Sequence, residues 1–250
     1  MSDRAAPQQP KPSLCRTATT LSLHFSWHET QSCMDIRKPD ALSLEYTRTM
    51  MGFLLFVPEP ETIAMVGLGG GSLTKFCHRH LPTTRIQVIE INPHVIALRD
   101  EFQVPPDSER LSVILGDGAE FVRSPPGRVD VLLIDGYDEK GLPVSLSSQD
   151  FYAGCREMLT PGGMLVVNLH CGHKHWQRQV ERIRRSFNGN LLVVEDDDES
   201  NIVVFACSKH LSALPDAGFS APPLPLDAGT QKSLRDTFSR VLAAARGEGA

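Results

Sequence analysis

Residues Thr62 to Asp100 read TIAMVGLGGGSLTKFCHRHLPTTRIQVIEINPHVIALRD. A short apolar run, Ile63 to Val66, leads into the glycine cluster Gly67-Leu68-Gly69-Gly70-Gly71. A segment of helical character follows from Ser72 to His80, then a second apolar run, Ile86 to Ile89, that ends on Glu90. Strand, glycine turn, helix, strand, acid is the order of a nucleotide-binding βαβ unit. Glycines let the backbone turn sharply and let a ligand come close to the main chain. The free N–H groups at the start of the helix face that ligand. An acid at the end of the second strand can accept hydrogen bonds from ribose hydroxyls. Gly71 and Glu90 lie 19 positions apart, close to the roughly 20 between a glycine turn and its ribose-binding acid. The stretch therefore predicts a bound nucleoside, with Gly67, Gly69, Gly70 and Gly71 as its cradle.

Working outward, the 250 residues suffice for one large α/β domain with small appendages. A net charge of −5 gives no reason to expect nucleic acid or an anionic membrane as partner. No apolar run approaches the roughly 18 residues of a membrane span. The opening stretch MSDRAAPQQPKPSLCRTATT lacks the apolar core of a signal peptide and reads as a disordered leader over residues 1–20. Six cysteines, none in a CxxC pair, read as reduced thiols, which together with that leader predicts a cytoplasmic protein.

Leu21 to Phe25 alternates apolar and polar residues like a half-buried strand, with Ser32 to Ile36 as its hairpin partner and Trp27, His28 and Glu29 near the turn. Leu42, Tyr46, Met50 and Phe53 recur at helical spacing, predicting a helix over 41–56 that Pro58 and Pro60 close. Beyond Asp100, strands are predicted at Leu111–Leu115, Val129–Ile134 and Met164–Leu169, the last after a turn at Pro161-Gly162-Gly163. Helices are predicted at 93–102 behind an Asn92 cap, at 119–123, at 149–159 and at 176–187. Asn190–Val194 and Ile202–Ala206 read as an antiparallel hairpin around the acidic turn Asp196–Glu199, itself read as solvated surface. A Pro- and Ala-rich linker and a last amphipathic helix, Lys232–Ala245, complete the chain.

Four segments follow: the leader, a small hairpin-plus-helix unit over 21–57, a nucleoside-binding catalytic domain over 58–209, and the linker and helix of 210–250. Strand–helix alternation implies a doubly wound, mainly parallel sheet. The closing antiparallel hairpin selects its class I S-adenosylmethionine methyltransferase-like variant.

Ligands of such a sheet sit beyond the carboxyl ends of the strands. Three acids stand there: Glu90 for the ribose, Asp117 for an exocyclic amine of the base, and Asp135 toward the reacting end. Each could instead cap a helix or form a turn. Asp135 and Asp138 bracket the turn DGYD. A carboxylate there can orient an ammonium, take its proton and stabilise developing positive charge. Tyr137, between them, lines the pocket or packs. The segment His170-Cys171-Gly172-His173-Lys174-His175 matches no standard zinc spacing and reads as a loop over the active-site mouth rather than a metal site. Cys155, in a helix, reads as core.

The blocks EYTRTMMGFLLF, MVGLGGGSL, VIEINPHVI, ILGDGAEFV, LLIDGYD and LTPGGMLVVN, in that order between Gln31 and Leu169, resemble the spermidine synthase (polyamine aminopropyltransferase) family, above all its short bacterial spermidine synthase-like members. The resemblance implies decarboxylated S-adenosylmethionine as donor, methylthioadenosine as released product and a small amine or polyamine as acceptor. It implies Glu90 on the ribose, Asp117-Gly118 on the adenine, Asp135 and Asp138 as the catalytic aspartates, and Gln31 against the nucleoside. It also implies a homodimer or larger assembly. Gly70 stands where the family carries an acid that holds the donor's amino group, and the family's later tyrosine- and proline-containing acceptor segment is missing. Two other readings stay open: a methyltransferase using S-adenosylmethionine itself, which Gly70 favours, and a catalytically silent nucleoside-binding module.

Overall fold

The computed structural model describes residues 9–25, 31–137, 141–172, 175–196, 200–208, 226 and 228–247. The expectations placed on Trp27, His28, Glu29, Asp138, His173 and Lys174 lie outside those residues.

The chain begins with three short strands, β1 Ser13–Arg16, β2 Thr20–His24 and β3 Ser32–Asp35, paired antiparallel in that order. β2 and β3 are the predicted hairpin. β1 lies inside the stretch read as a disordered leader. All four of its residues are exposed, so no apolar alternation marks it, and it is held by backbone pairing to Leu21–His24. Helix α1, Glu45–Met50, starts later than predicted and tightens into a 3-10 turn over Met51–Leu55. The Arg48 guanidinium explains the late start: it takes the carbonyls of Leu42 (2.8 Å) and Ser43 (3.3 Å).

The main layer follows: β4 Thr62–Val66, α2 Ser72–His80, β5 Arg85–Glu90, α3 Pro93–Ile96, β6 Leu111–Leu115, α4 Gly118–Arg123, β7 Val129–Ile134, α5 Gln149–Met158, β8 Leu159–His170, α6 Trp176–Ser186, β9 Leu191–Glu195, β10 Asn201–Cys207 and α7 Ala228–Arg246. Seven strands form one sheet in the order β6-β5-β4-β7-β8-β10-β9. The first five run parallel, and β10 is antiparallel to both β8 and β9. The predicted doubly wound sheet with a closing hairpin is thus present.

Two local expectations change. Helix α3 is shorter than the predicted 93–102, because the chain past Ile96 tightens into turns such as Leu98 N–H to Val95 O and Arg99 N–H to Ile96 O. The predicted Pro161-Gly162-Gly163 turn is part of β8 instead, where a register shift between Val129 and Val131 of the neighbouring strand absorbs it.

Alternate residues of β10 show the sheet's two faces. Val203 and Phe205 join a core with α2, the 3-10 turn and α7, whereas Ile202, Val204 and Ala206 join one with α5 and α6. Cys155 is fully buried in the second core, and burial pushes its thiol well up. No helix among the described residues is long and apolar enough to cross a membrane.

Candidate active site

The chain leaves β4 for β5 on one side and returns to β7 on the other. That reversal opens a crevice at the carboxyl ends of β4 and β7, where such sheets bind ligands. A cavity of about 510 Å³ occupies it, lined by Gln31, Gly67, Gly69, Glu90, Asp117, Gly118 and Asp135 among others. Seven of the ten predicted site residues therefore share one space. Gly70 and Gly71 are buried behind the lining, and Asp138 lies outside the described residues.

Gly67 has φ +99°, and a Cβ there would run into the Asp135 carbonyl oxygen. Only glycine lets the first turn pass so close to the end of β7. Gly70 sits under a different constraint. A Cβ on it would lie 2.6 Å from Ser32 Oγ and 2.8–2.9 Å from the Phe102 ring, so the packing of β3 against the turn leaves no room for a side chain.

Glu90 is buried, its Oε2 accepting from the Leu68 N–H (2.8 Å) and its Oε1 from the Asn92 N–H (2.8 Å). Burial pushes its carboxyl up from the usual range, and the surrounding backbone N–H groups pull the other way. The backbone N–H groups of Leu68, Asn92, Gly69 and Ile91 all act on it, so Glu90 braces the glycine turn at the cavity wall. Asp117 caps α4 through Ala119 N–H (2.7 Å) while its residue lines the cavity.

Asp135 is the centre of a hydrogen-bonded set. Tyr46 donates its hydroxyl to Oδ2 (3.1 Å), and Asn168 donates its amide to Oδ1 (2.9 Å). Burial raises the Asp135 carboxyl above the usual range, partly offset by these two bonds. Burial and the nearby carboxylate likewise hold the Tyr46 phenol well above its ordinary value, so it stays a donor. Because the Asn168 NH₂ must face Asp135, its Oδ1 is fixed as an acceptor, and among the described residues no group donates to it. A buried amide oxygen in a cavity wall can take a hydrogen bond from a ligand donor or from water. Tyr137 lines the pocket, donating to Asn168 O (3.1 Å) and accepting from His170 N–H (2.7 Å).

Some lining residues escaped the sequence reading. Tyr46 reads in the sequence only as part of an apolar helix face. Asn168 was visible as the lone polar residue in the apolar run Met164–Leu169. Gln9 and Pro10, from the stretch set aside as leader, also line the cavity, and Asn92 Nδ2 donates to Pro10 O (2.7 Å). Asp196, read as solvated surface, is 3% exposed and lines the cavity too. The first residue of the acidic run thus faces inward.

The spermine/spermidine synthase domain matches residues 43–195. This chain belongs to that family. Among its relatives, the polyamine aminopropyltransferase of Chromobacterium violaceum is 34% identical over 203 residues, 81% of this chain and 78% of the relative. That of Neisseria meningitidis serogroup A is 37% identical over 187 residues, 74% and 71% of the two chains. A probable spermidine synthase from Corynebacterium glutamicum has the same fold, with a TM-score of 0.70 at 19% identity over 89% of this chain and 90% of that one. All the residues named above from Tyr46 to Glu90 and on to Asn168 fall within the matched span.

Proposed function

We propose that this member of the spermine/spermidine synthase family transfers an aminopropyl group from decarboxylated S-adenosylmethionine to a small amine. The donor supplies a sulfonium whose neighbouring carbon is open to attack. The acceptor nitrogen forms a bond to that carbon as the carbon–sulfur bond breaks, methylthioadenosine departs, and the nitrogen's extra proton passes to a carboxylate. Glu90 binds the ribose hydroxyls, Asp117 and Gly118 the base, with Gln31 and the Gly67–Gly71 turn against the nucleoside. Asp135 orients the acceptor and takes its proton, and Asp138 is its catalytic partner by resemblance.

The observation that carries this reading is the Asp135 set. A buried carboxylate fixed by two neutral donors, beside an amide oxygen that can accept a further hydrogen bond, suits an amine better than an anion. Burial has raised its pKa, which makes it a better proton acceptor.

Gly70 supports a second reading, methyl transfer from S-adenosylmethionine. The turn carries no acid to repel the donor's carboxylate, and Ser32 and Phe102 leave no room for one. Calorimetry with both donors separates the two. The aminopropyl reading expects the decarboxylated form to bind at least roughly tenfold tighter, the worth of one charge-assisted hydrogen bond. Equal affinity, or tighter binding of S-adenosylmethionine, favours methyl transfer.

A further inference from the structure

Residues 9–12, in the Pro-, Gln- and Lys-rich opening stretch, lie against the crevice. Gln9 and Pro10 line the cavity, and Pro12 is buried. Asn92 Nδ2 donates to Pro10 O at 2.7 Å. The Oδ1 of the same residue caps α3 by accepting from His94 N–H at 2.9 Å, and its backbone N–H reaches Glu90 Oε1 at 2.8 Å. Asn92 therefore joins three things: the acid at the end of β5, the start of α3 and the N-terminal segment. Further along, Arg16 of β1 pairs with Glu101 at 3.0 Å, so the chain after the segment is fastened beyond α3.

These fastenings place the segment without holding it hard. Among the described residues, 9–12 make a single hydrogen bond, and both side chains of the Arg16–Glu101 pair are 55% exposed. A neutral hydrogen bond and an exposed ion pair are each modest, and segments with so few bonds are the first to open. Pro10 and Pro12 fix φ, so little backbone freedom is lost each time the segment is laid down again. Gln9 brings to the cavity wall an amide with two donor hydrogens and an acceptor oxygen.

We propose that residues 9–12 form a strap that closes the Glu90 end of the cavity over a bound nucleoside, with Asn92 as its clasp. The inference rests on the nucleoside-binding reading of the cavity. Gln9 touches the ligand, and Asn92 is a positioning residue that acts through Pro10. Release of the nucleoside then waits on the strap, which lifts when the Asn92–Pro10 bond opens.

The test is measurement, by surface plasmon resonance, of methylthioadenosine association and dissociation rates. Three proteins are compared: the full-length chain, a variant lacking residues 1–11, and Asn92→Ser. Serine keeps an oxygen that can cap α3 and loses the donor that reaches Pro10. Asn92→Ser should speed dissociation roughly three- to tenfold, the scale of a neutral hydrogen bond, and the truncation by roughly tenfold or more. Association should be unchanged or faster in both, with Tm within about 2 °C of wild type. Dissociation from the truncated chain within about twofold of wild type overturns the proposal and leaves the nucleoside reading in place. Slower association together with a lowered Tm in both variants overturns it too, showing a structural effect only. If wild type binds no methylthioadenosine, the nucleoside reading itself fails and this inference with it.

Discussion

Two neutral donors fix Asp135, and one of them can be removed with little change of shape. Tyr46→Phe deletes the O–H that reaches Oδ2 and keeps the ring. Hydrogen bonds to a charged group contribute roughly 1.5–3 kcal/mol, so kcat/KM should fall roughly ten- to hundredfold. The pH profile should move as well. A proton-accepting carboxylate must be ionised, so activity is lost as pH falls through its pKa. The Tyr46 bond lowers that pKa against the raising effect of burial, and its loss should shift the acid limb to higher pH. An unshifted acid limb in steady-state assays would place the essential ionisation elsewhere. At this scale the acids were legible because each ends an apolar strand. Asn168 and Asp196 were not, since neither the amide's orientation nor the burial of one aspartate in an acidic run is written in local pattern.

At the scale of elements, α2 follows the glycine turn and holds a buried lysine. Lys75 is 4% exposed, and its Nζ donates to Phe102 O at 2.7 Å, with Met34 Sδ 3.1 Å away. Desolvation lowers its pKa from 10.5 to about 8. A base with a depressed native pKa binds fewer protons folded than unfolded between those values, so its contribution to stability rises with pH across that window. The gain amounts to roughly 3 kcal/mol, at about 1.4 kcal/mol per pH unit. Lys75→Met removes it. Denaturant unfolding from pH 8 to 10.5 should show wild type gaining on the variant by about that amount, and parallel curves would refute the depressed pKa. Strands β4 and β7 were legible because central strands covered on both faces read as continuous apolar runs. β1 was invisible for the opposite reason, having four exposed residues and only main-chain pairing. The N-terminal start of α1 was misread because a side chain, Arg48, consumes the carbonyls that a longer helix would have used.

For the whole molecule, the C-terminal helix is tied to the cavity through α1. Leu234, Phe238 and Val241 of α7 are buried in the core that also holds Met50 and Phe53, and Arg240 reaches Glu45 and Thr49. Phe238→Ala should destabilise by roughly 3–5 kcal/mol, lowering Tm on the order of 10 °C in a chain of this size. Its amine affinity should fall with it, because α1 loses its support. Intact amine affinity at temperatures well below the lowered Tm would show that α7 serves stability alone. This long-range dependence could not be read from an amphipathic pattern, which says that a helix docks but not where. Family membership and the crevice at the strand reversal converge on one reaction, and product identity tests it most directly. Incubated with decarboxylated S-adenosylmethionine and 1,4-diaminobutane, the protein should release methylthioadenosine and the aminopropylated amine together, and Asp135→Asn should abolish both. No methylthioadenosine above a protein-free control, or methyl transfer from S-adenosylmethionine in its place, would contradict the aminopropyltransferase reading.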